Sequence, residues 1–500
     1  MTCKFNMKTK VLLINPSKWR RGITPIWIAS HSALLKSRGH QVKLFNATFY
    51  EEWSIDEIAF NTSNDQYKPS SYSQYITLNK GDILHDMQNF IDEYQPDIIF
   101  WSAVSSHIHG EGEYVNIQYG YELIQQLNTK ALKITGGLQP TAKPKEMLKI
   151  FPKVDYFIGG ESEFVLSEIA DTCNDIHKIS QIKGITFLDK DTAISNPKQP
   201  IINDLNTIPS YDYSVFEDQV FYRPYNGKVD RAVDYELSRG CIYACSYCVE
   251  TIIQDYYGFT EVNKGVLKNV KGYLRNKSAS RVFSELKELN EKYGISLIRC
   301  QDTNFLTIDK KMLAELATLI DDSDLEIKLY IETRPEGINS FTLKQLKKLK
   351  VDAVGMGVEV SDQDFREGSL NRFASQIKII NAFKSLREEG IKRTAYNIIG
   401  LPDETENMIL ESIRFNKLID PDNITVAFYS PYIGTPEQEK SLDVNYFDDY
   451  EYHVDSSLRS HSKSSLVEKE VLEFYKKYFI YFVKNGFDEL ELLKKKARIN

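Results

Sequence analysis

The sequence predicts an α/β protein with an N-terminal doubly wound parallel sheet, then a partial (β/α)6 barrel, then a helical C-terminal region. Two series of apolar strand-like runs that alternate with helical periodicity, first five and then six, predict the sheet and the barrel. An aromatic-rich amphipathic segment near the C-terminus predicts the helical region. A chain of 500 residues has room for two or three domains. We expect a sheet domain over 8–175, a linker over 176–230, the barrel over 231–436 and the helical region over 437–500.

The bulk composition is that of an ordinary globular protein, with 42% hydrophobic and 26% charged residues. The net charge of −8 and the lack of a long basic run argue against a nucleic-acid partner. The first apolar run, Val11–Ile14, is too short for the core of a signal peptide. The late run Tyr478–Val483 ends at Lys484 and is too short to span a bilayer. We therefore expect a cytoplasmic protein without a membrane partner.

The five strands of the first domain are short, apolar and separated by helical segments. They are predicted at Val11–Ile14, Val42–Phe45, Ile98–Ser102, Leu132–Thr135 and Tyr156–Ile158. Such an alternation is typical of a parallel Rossmann-like or flavodoxin-like sheet with right-handed crossovers. Ligands of these sheets bind beyond the carboxyl ends of the strands, where the strand order reverses.

Small and glycine residues follow these predicted strands. The candidates at this edge are Asn15, Ser102, Ser105, Ser106, Gly136, Gly137, Gly159, Gly160 and Glu161. Paired glycines let the backbone approach a bulky ligand, and small hydroxyl residues offer hydrogen bonds. Short glycine turns also end many strands for steric reasons alone, so the spacing leaves open whether a nucleotide-like ligand binds here.

Three of the six cysteines, Cys241, Cys245 and Cys248, fall within eight positions. Their spacing can place three thiolates on one tight loop, where they could hold three corners of a cubane iron–sulfur cluster and leave one iron open. A zinc site or a simple electron-transfer cluster is the alternative, but either needs a fourth ligand, and no other cysteine lies nearby in sequence. We interpret the remaining three cysteines, Cys3, Cys173 and Cys300, as ordinary free thiols.

Six strand-and-helix units around and after the cysteines predict a partial parallel TIM-like barrel. Its strands are expected at Tyr235–Leu237, Leu297–Cys300, Ile327–Ile331, Ala353–Val358, Thr394–Ile399 and Val426–Tyr429. Its helices are expected at Val282–Tyr293, Lys311–Ile320, Thr342–Lys348, Gln376–Glu388 and Thr405–Leu418. Barrel enzymes place their chemistry at the carboxyl ends of the strands, where the cysteine loop also falls.

The cysteine motif, with Tyr247 just before Cys248, resembles that of the radical S-adenosylmethionine (radical SAM) enzymes. Residues 10–172 resemble the cobalamin-binding domain of the cobalamin-dependent members, with a longer insert at about 51–79. The segments that carry this second resemblance are Lys10–Asn15, Leu34–Val42, Gly136–Ala142 and Asp155–Glu163. The resemblance implies a [4Fe–4S] cluster on Cys241, Cys245 and Cys248, with S-adenosylmethionine (SAM) and cobalamin as further cofactors.

The resemblance also implies which residues bind SAM at the barrel's strand ends. Glu359 resembles the glutamate that accepts hydrogen bonds from the ribose hydroxyls, and Arg372 resembles an arginine that pairs with the SAM carboxylate. The further candidates are Arg334, Asp302, Asn397 and Tyr247.

The cobalamin candidates are the residues at the edge of the first sheet given above. The Asp-x-His-x-x-Gly motif that supplies a histidine to cobalt in other cobalamin proteins is missing, as it commonly is in this group, so the lower axial ligand is unassigned. We interpret His107 and His109 as a hydrogen-bonding pair and not as metal ligands. Trp19, Arg20 and Arg21 are further residues that could approach the corrin.

In the C-terminal region, Leu466, Val467, Val471, Leu472, Phe474, Tyr475 and Tyr478 have helical spacing. We expect this face to pack on the barrel, and a cap over the substrate is the alternative.

The predicted activity is cleavage of SAM at the cluster and methylation of an unactivated carbon of a small molecule, with a reductant such as flavodoxin or ferredoxin as electron donor. Rearrangement, cyclisation or oxidation with the same cofactors is the alternative. In a third reading the sheet domain binds no cofactor and serves as a binding module. The sequence does not identify the substrate.

Overall fold

The structure is a computed structural model that describes residues 8–103, 113–429, 431–443 and 465–499. The chain divides into two compact units. The first unit comprises Met1–Asp56, Ser73–Tyr222 and Ile252–Phe259, and the second comprises Glu57–Tyr72, Arg223–Thr251 and Thr260–Asn500. Within the described ranges, no helix is both long enough and apolar enough for a membrane crossing.

The elements up to residue 195 alternate strands with helices. They are β1 (Lys10–Asn15), α1 (Ile26–Ser37), β2 (Gln41–Asn46), α2 (Glu57–Ser63), α3 (Ile83–Tyr94), β3 (Ile98–Trp101), α4 (Glu113–Ile124), β4 (Leu132–Thr135), α5 (Leu138–Ala142), α6 (Pro144–Ile150), β5 (Tyr156–Ile158), α7 (Glu163–Thr172), α8 (Ile176–Ile179), β6 (Ile185–Asp189) and β7 (Thr192–Ser195).

The later elements begin with a hairpin and continue as strand-and-helix units. They are β8 (Tyr222–Tyr225), β9 (Lys228–Tyr235), β10 (Ser238–Arg239), α9 (Glu250–Tyr257), β11 (Val262–Asn263), β12 (Val266–Leu267), β13 (Arg275–Asn276), α10 (Ala279–Tyr293), β14 (Leu297–Cys300), α11 (Lys310–Asp321), β15 (Lys328–Thr333), α12 (Ser340–Lys348), β16 (Val351–Glu359), α13 (Gln363–Gly368), α14 (Gln376–Glu388), β17 (Lys392–Ile399), α15 (Glu406–Ile419), β18 (Asn423–Phe428), α16 (Pro436–Asp443), α17 (Lys469–Asn485) and α18 (Leu490–Lys496).

The first unit contains a seven-stranded sheet in the order β2-β1-β3-β4-β5-β6-β7. Strands β1 to β5 are parallel, as predicted, and their bounds differ from the predicted ones by at most one residue. The apolar side chains of β1 and β3 are fully buried, which explains why these strands read as continuous hydrophobic runs. The strand order reverses between β1 and β3, the point at which flavodoxin-like sheets bind their ligands.

Strands β6 and β7 form a hairpin inside the segment that the sequence indicates as a linker. The hairpin is antiparallel to β5 and adds two strands to the first sheet. Its inner strand buries Ile185, Thr186 and Phe187. The first sheet therefore continues to residue 195.

The second unit contains a seven-stranded sheet in the order β18-β17-β16-β15-β14-β9-β8. Six of these strands, β9 and β14 to β18, are parallel, which confirms the partial barrel. The five predicted barrel helices are also confirmed, each within three residues at its ends. The first barrel strand lies earlier in the chain than predicted: β9 ends at Tyr235, the residue at which the predicted strand begins. Charged residues obscured β9, since Asp234 lies buried in an ion pair with Arg223 of β8.

The segment Glu57–Tyr72, the central part of the insert predicted at about 51–79 and called the insert from here on, belongs to the second unit and covers the edge of β18. The amide of Val426 donates to Gln66 Oε1 over 3.0 Å, and the carbonyl of Val426 accepts from Lys476 Nζ of α17. An uncovered edge strand leaves polar backbone groups open to pairing with another chain. Side chains of the insert and of α17 thus provide hydrogen-bond partners for the backbone of β18 at Val426, where a further strand would otherwise pair.

Helix α17 packs on α15 and β18, so core packing is confirmed for this helix. The shared core contains Ile399, Ile409, Ile413, Phe428, Leu472, Phe474, Tyr475, Phe479 and Phe482. The predicted positions Leu466 and Val467 precede α17: Val467 is partly buried and packs against this core, whereas Leu466 is 60% exposed.

Strand β16 carries a glycine where two tyrosines meet. The hydroxyls of Tyr330 and Tyr396 are 2.5 Å apart, and a Cβ at Gly355 would lie 2.6 Å from Tyr396 Cε2 and 2.8 Å from Tyr330 Oη. Both rings are held by neighbouring strands, so neither can withdraw freely.

We expect Gly355→Ala to destabilise the second unit by about 1–3 kcal/mol, because the added methyl group overpacks the tyrosine pair. Gly368→Ala is the matched control, since no atom lies within 4 Å of its Cβ position. Urea unfolding of both variants measures the difference. Equal midpoints for the two variants would show that the tyrosines adapt at no cost.

Candidate functional site

The cysteine loop lies between β10 and α9, beyond the carboxyl end of β9. Cys241 and Cys245 are 6% exposed, and Cys248 is partly buried. The Ser246 amide donates to the carbonyl of Leu370 over 3.0 Å, and the Ala244 amide donates to the carbonyl of Gly265 over 2.9 Å. The loop is therefore fixed by backbone hydrogen bonds from two other segments.

The loop can turn tightly because it begins with a glycine. Gly240 has a φ of +97°, and a Cβ there would lie 2.6 Å from the carbonyl oxygen of Tyr273. A larger residue would meet both a strained backbone conformation and a fixed carbonyl group. Gly240 thus sets where Cys241 enters the loop.

Burial dominates the electrostatics of the Cys241 and Cys248 thiols. It raises the pKa of Cys241 to about 12 and the pKa of Cys248 well above its usual range. Arg334 offsets part of the cost of negative charge on these sulfurs, since its Nη1 donates to Cys245 Sγ over 3.2 Å. Thiolates are the forms that ligate metals, and a bound cation stabilises them. The donor set of three sulfurs, two buried and one partly buried, with one guanidinium fits an iron–sulfur cluster.

Within the ranges that the structure describes, no three His, Cys, Asp or Glu side chains converge tightly enough to hold a single metal ion. A cubane differs from a single ion because each cysteine binds a separate iron atom. The ligand role of the three cysteines stays a prediction.

Arg334 follows β15 and is itself held on two sides. Its Nη2 lies 2.6 Å from Glu336 Oε1, and its guanidinium carbon lies 3.7 Å from the centre of the Tyr243 ring. The Glu336 carboxylate beside Arg334 is partly buried, which raises its pKa, yet the guanidinium groups of Arg334 and Arg372 hold the pKa of Glu336 below its usual range. Sequence reasoning missed Glu336 and Tyr243, although both lie within two residues of a predicted site residue.

The structure brings Glu359, Arg372 and Tyr247 together beside the cysteine loop. Arg372 Nη1 lies 3.8 Å from Glu359 Oε1 and 3.4 Å from Tyr247 Oη, and Arg372 Nη2 donates to the carbonyl of Gly357 over 2.5 Å. In the described part of the chain, Arg372 Nε is buried and has no hydrogen-bond partner. An unpartnered guanidinium N–H is suited to a ligand's carboxylate.

An irregularity at the end of β16 positions Glu359. The pairing of β16 with β17 shifts register between Gly357 and Glu359, and Glu359 has a φ of +62°. A Cβ at Gly357 would overlap Glu359 Oε1. The carboxylate thus lies over the backbone of Gly357, in space that a side chain there would fill.

Asp302, predicted to bind SAM, instead holds the start of the cysteine loop. Its Oδ1 accepts from the amides of Leu237 and Ser238 over 3.1 and 2.6 Å, and from Ser238 Oγ over 2.5 Å. Burial raises the pKa of Asp302 to about 7. Asp302 therefore acts through the loop backbone in this structure.

Asn397 points away from the predicted SAM site. Its side-chain amide exchanges hydrogen bonds with Asn416 of α15, and Asn416 Nδ2 donates to Asn397 Oδ1 over 2.6 Å. Side chains alternate between the two faces of a strand, and Asn397 lies on the face toward the helices. This orientation does not support the predicted contact of Asn397 with SAM.

At the edge of the first sheet, Asn15, Ser102 and Gly136 are buried or tightly packed. Asn15 Nδ2 donates to Asn46 Oδ1 over 3.0 Å and to Thr48 Oγ1 over 3.2 Å, which joins the loops after β1 and β2. Ser102 has a φ of +57°, and its carbonyl accepts from the Gly136 amide over 3.1 Å. Ser105, Ser106, His107 and His109 lie outside the described residues.

Gly137 is the N-cap residue of α5 and has a φ of +97°, and Gln139 is the second residue of that helix. Gln139 is 1% exposed, and its Oε1 has no hydrogen-bond partner among the described residues. A buried amide oxygen without a donor is costly unless a ligand supplies one. The corrin ring of cobalamin carries peripheral amide groups, so this edge fits cobalamin; the sequence prediction did not include Gln139.

Gly159, Gly160 and Glu161 contact two tyrosines of α9. A Cβ at Gly159 would lie 3.0 Å from the Tyr256 ring, and the Glu161 amide donates to Tyr257 Oη over 2.9 Å. These glycines therefore make room for protein side chains in this structure. No local sequence pattern predicts this contact, because the tyrosines lie almost 100 residues further along the chain.

The loop after β1 is held within the first unit. Trp19 is buried, and Arg20 donates from Nε and Nη2 to Ser54, over 3.0 Å in each case. These residues anchor the loop to the segment after β2.

The comparisons with known proteins agree with this geometry. Residues 235–415 match the model of the radical SAM superfamily. The chain is 24% identical to the uncharacterized methyltransferase PH0819 of Pyrococcus horikoshii, over 70% of each chain. It is 25% identical to the anaerobic magnesium-protoporphyrin IX monomethyl ester cyclase of Cereibacter sphaeroides, over 72% of this chain and 56% of that enzyme.

Two solved structures share the fold. The radical SAM methyltransferase TsrM from Kitasatospora setae, with cobalamin and a [4Fe–4S] cluster bound, matches with a TM-score of 0.62 at 16% identity, over 88% of this chain and 79% of TsrM. The cobalamin-dependent radical SAM enzyme OxsB, with aqua-cobalamin and SAM bound, matches with a TM-score of 0.58 at 15% identity, over 99% of this chain and 62% of OxsB.

Residues 235–415, which contain the cysteine loop, are thus similar to the radical SAM superfamily, and the chain shares the fold of two cobalamin-dependent radical SAM proteins. These similarities support the family predicted from the sequence.

The buried carboxyl of Asp302 makes stability depend on pH in a defined direction. The folded chain keeps this proton up to about pH 7, whereas an unfolded aspartate loses it near ~3.9, so its contribution falls as pH rises between these values. Asp302→Asn cannot ionise. We expect the variant to gain on the order of 2 kcal/mol relative to the wild type between pH 5 and pH 8. Urea unfolding of both proteins at the two pH values measures this, and an unchanged gap would refute it.

Proposed function

We propose that this protein cleaves SAM reductively at a [4Fe–4S] cluster and, with cobalamin, methylates an unactivated carbon of a small-molecule substrate. The buried trio Cys241, Cys245 and Cys248, beside the Glu359–Arg372–Tyr247 group, is the observation that carries the proposal. The names of PH0819 and TsrM, both methyltransferases, support methyl transfer.

The three cysteines would hold three irons of the cluster and leave the fourth open to SAM. When bound, the cluster supplies the electron that cleaves SAM, and cobalamin supplies a methyl group to the substrate. Arg334, through its contact with Cys245 Sγ, stabilises negative charge on the sulfur ligands. A flavodoxin or ferredoxin would deliver the electron.

We assign the SAM contacts to the residues beside the loop. Glu359 offers two carboxylate oxygens for the vicinal ribose hydroxyls. Arg372 offers its unpartnered Nε–H and its other guanidinium N–H groups to the SAM carboxylate. Tyr247 is adjacent to both, and burial raises the pKa of Tyr247 well above its usual range, so its hydroxyl stays a donor.

We assign cobalamin to the carboxyl edge of the first sheet, near the reversal between β1 and β3. Ser102, Gly136 and Gly137 shape this edge, and Gln139 Oε1 awaits a donor there. Asn15 orients the loop after β1. We assign Gly159, Gly160 and Glu161 a supporting role, because α9 already occupies the space beside them.

A second function uses the same cofactors for cyclisation or another oxidation without methyl transfer. The likeness to the anaerobic cyclase of Cereibacter sphaeroides favours it. A first unit that binds no cofactor is the third reading, and titration with cobalamin would separate it from the other two.

The products of SAM decide between these functions. Anaerobically reconstituted protein would be incubated with cobalamin, a low-potential reductant, a metabolite extract and SAM labelled with 13C in its methyl group. We expect S-adenosylhomocysteine and 5′-deoxyadenosine in equal amounts above the extract-free background, with one product heavier by a labelled methyl group. 5′-Deoxyadenosine without S-adenosylhomocysteine would establish the second function. Intact SAM would refute both.

Replacing one cysteine of the trio tests the cluster itself. We expect Cys245→Ala to lose most of its iron and acid-labile sulfide, because one corner of the cluster loses its ligand. Cys300→Ala is the matched control, since Cys300 is buried on β14 but lies outside the loop. Iron, sulfide and zinc analysis of anaerobic preparations measures the outcome. Full iron and sulfide in Cys245→Ala, or stoichiometric zinc in the wild type, would overturn the ligand assignment.

A further inference from the structure

A cavity of about 370 Å³ opens at the amino-terminal end of the barrel strands, within the second unit. Lys228, Lys328 and Lys392, the first residues of β9, β15 and β17, line it together with Asp352 near the start of β16. Lys68 of the insert completes the wall. The cysteine loop follows the carboxyl end of β9, so this cavity lies at the opposite end of the strands and takes no part in the proposed SAM chemistry.

Each of the three carboxylates in the wall already faces a cation. Asp352 accepts from Lys392 Nζ over 3.0 Å at both oxygens, Asp230 lies 3.7 Å from Lys328 Nζ, and Asp422 lies 2.6 Å from Arg393 Nη2. The Asp352–Lys392 and Asp422–Arg393 pairs join neighbouring strands, and the Asp230–Lys328 pair reaches across β14. Together they are sufficient to neutralise the acidic groups.

Two lysines of the wall remain in surplus. Among the residues that the structure describes, neither Lys68 nor Lys228 has an ion-pair or hydrogen-bond partner, although both line the same cavity. The cavity therefore carries net positive charge. Like charges that share a concave surface repel each other, and a bound anion relieves this repulsion.

A neutral donor adds directionality to this charge. Asn226 accepts from Asn423 Nδ2 at its Oδ1 over 3.4 Å, which leaves its own Nδ2 as the free end. Nδ2 is buried and has no partner in the described ranges. Asn226 and Gly227 form the turn between β8 and β9 with φ values of +50° and +80°, a geometry that fixes where the amide lies.

We propose that this cavity binds a small phosphate-bearing ligand, held by Lys68, Lys228 and the Asn226 amide. Phosphate oxygens accept hydrogen bonds from ammonium and amide donors at once, and their charge matches two surplus cations. A volume of about 370 Å³ exceeds a single phosphate and suits a diphosphate or a small phosphate ester. Because Lys68 belongs to the insert and Lys228 to β9, the ligand also ties the insert to the barrel.

The test uses the purified full chain and inorganic pyrophosphate, with inorganic phosphate as the smaller probe, at constant ionic strength. We expect saturable binding of one pyrophosphate in calorimetry, weaker binding of phosphate, and a pyrophosphate-dependent rise in the melting temperature. The double variant Lys68→Ala/Lys228→Ala should bind pyrophosphate at least tenfold more weakly. Lys344→Ala/Lys417→Ala, which removes two exposed lysines from α12 and α15, is the matched control and should bind as the wild type does.

A single isosteric change keeps the test decisive if the double variant folds poorly. Asn226→Asp preserves the shape and tolerates the positive φ, but it replaces the donor with a carboxylate, so we expect it to lose pyrophosphate binding while its melting temperature without ligand stays near that of the wild type. Absence of saturable binding to the wild type, or equal weakening in the Lys344/Lys417 control, would overturn the proposal. These readouts need neither cluster nor SAM, so they stand or fall apart from the proposed enzyme activity.

Discussion

The burial of three sulfur atoms on one short loop is the constraint on which the second unit depends. Burial raises the pKa of Cys241 and Cys248, so their thiolate forms need positive charge close by. The fold provides one such charge in Arg334, and it fixes that side chain between Glu336 and the Tyr243 ring. A metal cluster would supply the rest. In the proposed function, the charged state of the loop would therefore be stabilised by the bound cluster together with Arg334.

The same site also depends on two glycines, at positions where a side chain would clash with neighbouring groups. Gly240 lets the loop pass the carbonyl group of Tyr273, and Gly357 leaves the space that the Glu359 carboxylate occupies. Because Glu359 adopts a positive φ at a register shift, its carboxylate is aimed by the backbone and the Arg372 contact together. Such preorganisation lowers the entropy lost when a ligand binds.

The sequence predicts the strands and the loop that a local residue pattern determines. It does not predict the features that depend on a partner residue far away in the chain. Apolar runs located β1 to β5 within one residue, and the cysteine spacing located the loop. Charged positions concealed β9, since Asp234 is compensated only by Arg223 of the neighbouring strand. Asn397 became a SAM candidate because it lies at a strand end, but a strand end alone does not show which way a side chain points, and in the structure Asn397 faces Asn416. The tyrosines against Gly159 and Gly160 left no local signal.

The insert Glu57–Tyr72 shows how one addition can alter both an edge and an end of a barrel. Gln66 satisfies the Val426 amide of the edge strand, so the insert stabilises β18 without adding a strand. Two residues further on, Lys68 enters the wall of the amino-terminal cavity and adds a charge that no carboxylate there offsets. Residues at the amino-terminal end of a barrel ordinarily serve stability, which paired charges provide and surplus charges reduce. The proposed anion would offset this surplus charge and relieve its cost to the fold.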